Sequence, residues 1–182
     1  MFNRLVTDSI HLRILELRDV EQLYALTHTS RQHLREWLPW VDHVESVDDS
    51  RQFIQSTLSQ YAGNNGFQLG IWYRETLAGV IGLHHIDWPN RSTAIGYWLG
   101  QDFQGLGIMT KACQSLVDFL FDDYQLNRVE IEVATQNFKS QAIPDRLGFV
   151  NEGCRRQAEW LYNHFVDHII YSMLEQDWHP NR

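Results

Sequence analysis

The chain has 182 residues, 43% of them hydrophobic and 13% aromatic, enough for one sizeable core and one globular domain spanning residues 1–182. A formal net charge of −8 disfavours nonspecific contact with nucleic-acid phosphates or an anionic membrane surface and suits amine-bearing substrates. No apolar run approaches the roughly 20 residues of a bilayer span, and the opening MFNRLVTDSIHLRILE alternates instead of forming a signal-peptide core, so a cytoplasmic protein is expected.

Ile10, Leu12 and Ile14 alternate with His11 and Arg13 and predict a first strand. Asp19 is placed to cap a helix whose apolar face is Val20, Leu23, Tyr24 and Leu26, ending near Thr29. LREWLPW, Leu34 to Trp40, then carries more apolar surface than an ordinary exposed connection: it is either a lid on the core or the wall of a substrate cleft. Trp37 and Trp40, with His84 further on, are the acceptor-side candidates. Ser46, Asp48 and Asp49 start a second helix with Phe53, Ile54, Thr57, Leu58 and Tyr61 along one stripe, and GNNG at Gly63 to Gly66 stops it. Strands at about 67–73, 77–86 and 93–99, joined by RET and DWPNR, predict an antiparallel meander.

That meander leads into Ala94 to Asp123, a strand, a glycine-marked loop and a helix in immediate succession. Gly105 and Gly107 allow a sharp turn and close approach to a ligand, and the helix carrying Ile108, Ala112, Leu116, Val117, Phe119 and Leu120 aims its positive end at the same place. The pattern fits an anion cradle and also plain turn chemistry. A dinucleotide fingerprint fails because GLGIMT ends in Thr110, and a Walker loop fails because no G-K-[ST] is present. Beyond it, RVEIEVA turns Val129, Ile131 and Val133 inward and Glu130 and Glu132 outward. A short helix over residues 137–146 and strands at about 150–160 and 165–174 complete the chain. Cys113 and Cys154 read as reduced packing residues. His84-His85 and His164 with His168 lack the i, i+4 geometry of a helical zinc site, so no metal is expected.

Gln104-Gly105-Leu106-Gly107 after a strand, the amphipathic helix, the charged strand, Asn137, Ser140 and Leu147-Gly148-Phe149 together resemble the GNAT acetyltransferases. IGYWL, GLGIMTKAC, NRVEI, NFKSQAIPDRLGF and EGCRRQAEW are similar to the RimJ/RimL group of that superfamily, N-terminal acetyltransferases of ribosomal proteins. The resemblance implies an α+β fold, a twisted mixed sheet with a V-shaped split and flanking helices, with acetyl-CoA as co-substrate. It implies that main-chain amides of Gln104, Gly105, Leu106, Gly107, Ile108, Met109 and Thr110 hold the diphosphate, that Asn137 bonds the pantetheine arm, and that backbone groups of Tyr97, Trp98 and Leu99 polarise the acetyl carbonyl. Glu159 takes the role of general base and Ser140 that of the acid. Read from the residues alone, Glu159 is a strand carboxylate and Ser140 a helix cap. Met109 stands where the family has glycine or alanine, and Pro144 stands where many members have a tyrosine acid. The acceptor is a protein N-terminus or a small amine, and pairing of two copies is left open. A cofactor-binding module without turnover is the reading from another class.

Overall fold

The computed structural model describes residues 2–179. Its frame is a mixed sheet of eight strands: β1 (Asn3–Thr7), β2 (Ile10–Ile14), β3 (Gln68–Tyr73), β4 (Thr76–Asp87), β5 (Ser92–Leu99), β6 (Arg128–Ala134), β7 (Val150–Leu161) and β8 (His164–Leu174). They lie in the order β1-β2-β3-β4-β5-β6-β8-β7, and the pair β5–β6 is parallel while its neighbours are antiparallel. The helices are α1 (Val20–Thr29), α2 (Arg31–Arg35), α3 (Val47–Ala62), α4 (Ile108–Asp122), α5 (Phe138–Arg146) and α6 (Glu175–Trp178).

Alternation builds the sheet. Ile10, Leu12 and Ile14 on β2 and Val129, Ile131 and Val133 on β6 are all buried on one face, against the stripe Ile108, Ala112, Leu116, Val117 and Leu120 of α4. Each such side chain contributes about 1.5–3 kcal/mol by leaving water. Helices α1 and α3 cover the other face, where Leu23, Leu26 and Ile54 pack on Trp72, Leu77 and Val80. α3 begins as the sequence predicts, with Ser46 and Asp49 in a reciprocal capping box.

Asp19 does something else. It makes no side-chain cap on α1; its carboxylate takes both Arg13 N–H groups at 2.7 Å and the Glu16 N–H at 2.8 Å. A 3₁₀ turn, Leu17–Asp19, already runs into the helix, and a carboxylate only 2% exposed needs a charged partner more than the helix needs a cap.

The sheet divides along the parallel pair. β5 and β6 are paired from Ser92↔Arg128 to Ile95↔Ile131. Past that point Gly96 to Leu99 stay with β4, and Glu132 to Ala134 stay with β8. One arm is therefore β1 to β5 and the other β6, β8 and β7, with the predicted V-shaped split between them. Among the described residues no helix is long and apolar enough to cross a membrane.

Candidate active site

The glycine loop sits where the split opens. After Leu99 a 3₁₀ turn, Gln101–Phe103, leads to Gln104, and Gly105 and Gly107 follow with φ of +74° and +71°. Both are left-handed conformations that side chains resist. A Cβ at either glycine would meet nothing within 4 Å, so the space above the loop is open. Gly107 precedes α4 without any side-chain cap, which leaves the first N–H groups of a 15-residue helix available to an anion. Ile108 and Met109 are 1% and 5% exposed. The Met109 side chain thus belongs to the core and stays out of the open space above the loop, and Thr110 is half-buried. Leu106 is exposed at the loop's tip.

Gln104 is held from two sides. Its Nε2 donates to His33 Nε2 on α2 at 3.0 Å, and its Oε1 accepts from Lys139 Nζ at 3.2 Å. Burial lowers the pKa of His33 below its ordinary value, consistent with a neutral acceptor. Lys139 was not foreseen as a site residue; a lysine directly before Ser140 was the available signal.

Tyr97, Asn137 and Ser140 come together across the split. Asn137 Oδ1 accepts from Ser140 N at 3.2 Å and so is the N-cap of α5. Ser140 is therefore the third helical residue and not the cap, and its hydroxyl is not used for capping. Pro144, four residues on, has no N–H to give the Ser140 carbonyl. The Tyr97 hydroxyl donates to that carbonyl instead, at 3.0 Å, and burial pushes the Tyr97 pKa far above its ordinary value, which keeps the donor protonated. Pro144 thus frees the carbonyl that ties β5 to α5.

Glu159 lies on β7 beyond an irregularity in the β7–β8 ladder. Arg155 pairs with His168 and Glu159 with Val166, so β7 carries two extra residues there. Gln157 adopts φ +50°, and its N–H donates to Asp167 Oδ1 at 2.7 Å. Glu159 Oε2 stands 3.4 Å from His168 Nε2, and Glu132 Oε2 stands 3.5 Å from His168 Nδ1. Glu132 also takes Arg155 at 2.9 Å. Glu130 is paired with Arg128 at 2.7 Å. The two β6 carboxylates are thus half-buried ion-pair partners, not freely solvated charges. Glu159 and Ser140 are not hydrogen-bonded to each other.

The acceptor-side candidates separate. The Leu34 to Trp40 segment reaches both arms: the Trp40 ring lies 5.8 Å from that of Trp98 at the end of β5, tilted by 53°, and the Leu38 carbonyl accepts from Tyr162 Oη in the β7–β8 turn at 2.6 Å. Arg35 lies 3.9 Å over the Tyr162 ring. This segment straps the open end of the V. Trp37 is half-buried in it. His84 is not in that strap: it lies on the exposed bulge of β4, its Nε2 2.9 Å from where a Cβ on Gly96 would stand, at the start of the free β5 edge. Cys113 is buried in α4 with its thiol pushed up to about 12, and Cys154 is exposed on β7.

Residues 9–150 match the Acetyltransferase (GNAT) domain. The chain is 38% identical to YdaF of Bacillus subtilis (strain 168) over 98% of both chains. It is 30% identical to the ribosomal-protein-serine acetyltransferase of Escherichia coli (strain K12), over 93% of this chain and 94% of that one. Among solved structures, RimL, a ribosomal L7/L12 alpha-N-protein acetyltransferase in complex with coenzyme A, superposes with a TM-score of 0.92 at 28% identity, covering 95% of this chain and 98% of that one.

Proposed function

The chain belongs to the GNAT acetyltransferases, and from that premise we propose that it transfers the acetyl group of acetyl-CoA directly to the α-amino group of a protein N-terminus, with ribosomal proteins as the acceptor class. The observation that carries the reading is the parting of β5 from β6 after Ile95 and Ile131, directly beside an α4 N-terminus with no side-chain cap. One strand edge and one helix end then face the same opening, which suits an amide-bearing arm attached to a diphosphate.

The backbone around Gly105 to Thr110 holds the diphosphate, with the Lys139 ammonium at the rim. The free edge of Gly96 to Leu99 accepts the pantetheine amides and directs N–H groups at the thioester oxygen. Asn137 has Nδ2 to offer the same arm, since its Oδ1 is committed to the helix cap. An N-terminal amine is mostly protonated at neutral pH; Glu159, directly or through a water, removes that proton. The nitrogen lone pair adds to the thioester carbonyl to form the new C–N bond, and the C–S bond breaks as the departing sulfur takes a proton from the Ser140 hydroxyl. The second proton shed by the nitrogen passes through solvent to restore Ser140, and the first leaves from Glu159 to solvent. No metal is needed for this balance.

Relatives named for ribosomal proteins support the acceptor class. The Leu34 to Trp40 strap is compatible with a flexible peptide end entering the V. The test is an assay of acetyl transfer to N-terminal peptides of ribosomal proteins alongside polyamines and aminoglycosides. Product acetylated at the peptide α-amino group is expected. Transfer confined to the small amines overturns the acceptor class, and cofactor binding without transfer to any amine overturns the enzyme reading in favour of a sensor.

A further inference from the structure

His168 is used by none of the steps above, yet its position is specific. It projects from β8 between the two neighbouring strands of its arm, with a side chain 14% exposed. From β7, Glu159 meets Nε2 at 3.4 Å; from β6, Glu132 meets Nδ1 at 3.5 Å, and Glu132 is itself held by Arg155 of β7 at 2.9 Å. Asp167, next to it on β8, is engaged with the Gln157 N–H. The charges therefore alternate along Arg155, Glu132, His168 and Glu159. Nδ1 is sealed from solvent without a hydrogen-bond partner among the described residues. At 3.5 Å its contact with Glu132 is electrostatic and not a well-aligned hydrogen bond. A buried ring nitrogen left in that state gains from carrying a proton between two carboxylates.

The β7 irregularity shows why the chain is built this way. With two residues extra between Arg155 and Glu159, both ends of the loop-out address the same imidazole, Arg155 through Glu132 and Glu159 directly. In a regular ladder the two would share a face but stand about 13 Å apart along the strand, too far to address one imidazole.

We propose that His168 is a positioning residue for acetyl transfer, an imidazolium braced by Glu132 that holds the Glu159 carboxylate toward the acceptor amine. This rests on Glu159 acting as the base. The Glu159 carboxylate raises the His168 pKa above its ordinary value against the opposing effect of burial, so the imidazolium persists to higher pH than in a free histidine and is lost as pH rises through that raised value.

Two measurements test it. In NMR titration of the intact protein the His168 midpoint lies above 6.5 and falls in Glu159→Gln; a midpoint unchanged in Glu159→Gln overturns the proposal. In steady-state assays His168→Leu lowers kcat at least ten-fold and leaves KM for acetyl-CoA unchanged. His168→Gln, whose amide can still donate to Glu159, recovers part of kcat and lacks the alkaline decline that deprotonation of His168 imposes on the wild type. His168→Leu or His168→Gln with wild-type kcat and pH profile overturns the positioning role. If that happens while Glu159→Gln is inactive, the base assignment stands alone; full turnover in Glu159→Gln removes both.

Discussion

The hydroxyl of Tyr97 and the carbonyl of Ser140 illustrate how one residue choice requires another. Pro144 removes an intrahelical hydrogen bond, and Tyr97 replaces it from a different strand at 3.0 Å. Tyr97→Phe leaves that carbonyl unpaired in a half-buried position, so chemical denaturation should report a loss of about 1–3 kcal/mol, with no loss for Tyr97→Phe meaning that the carbonyl finds water. Ser140→Ala touches the reaction instead of the fold, because the Ser140 backbone, not its hydroxyl, is what Asn137 and Tyr97 bind. It should lower kcat by about 10²-fold or more, the range of a general acid, with melting temperature and KM for acetyl-CoA unchanged. An unaltered kcat would remove Ser140 from the chemistry. Neither the Tyr97–Ser140 bond nor the Glu132–His168–Glu159 series was legible in the sequence. Both depend on which strands become neighbours, and the alternation of RVEIEVA reports only that Glu130 and Glu132 avoid the core.

At the scale of elements, the sequence was most legible where a single period ran long. The stripe of α4, the alternation of β6 and the capping box of α3 lie at the places their residues indicate. β1 and α2 were missed for physical reasons. NRLVT is a half-exposed edge strand whose alternation is too short to mark it off from β2, and RQHLR buries only Leu34 and shows no period to read. The glycine loop was legible as a sharp turn into a helix on the strength of two glycines; that Met109 would turn into the core required the helix to be in place. Gly107→Ala tests the loop as an element. A Cβ there meets no protein atom, so the substitution costs only the left-handed backbone, about 1 kcal/mol. A much larger loss of stability would mean that the loop is held by contacts other than those described.

On the scale of the whole molecule, the two arms are separately braced. In the second arm Arg128 joins Glu130 and Glu152, and Ser172 Oγ donates to Glu152 at 2.7 Å. These bonds lower the Glu152 pKa to about 2 from 4.5. A carboxylate with a depressed folded-state pKa stabilises the protein above its unfolded value and loses that contribution as pH falls through the folded one. Glu152→Gln should therefore melt lower than wild type at neutral pH, and the gap should close between pH 4.5 and about 2. A gap independent of pH would show that Glu152 acts by packing alone. Between the arms lie the Trp40–Trp98 contact, the Tyr162–Leu38 bond and the Tyr97–Ser140 bond. Together they link the two arms beyond the point where the ladder between β5 and β6 ends. The split itself was expected only through family resemblance, because the point at which a parallel ladder stops leaves no mark in composition or period.

Calorimetric titration of the wild type and of Gly107→Ala with coenzyme A tests the central claim most directly. The account predicts saturable binding of one molecule per chain, weakened at least ten-fold in Gly107→Ala because the added methyl stands in the open space above the loop. Absence of heat with the wild type, or equal affinity in the two proteins, would contradict it.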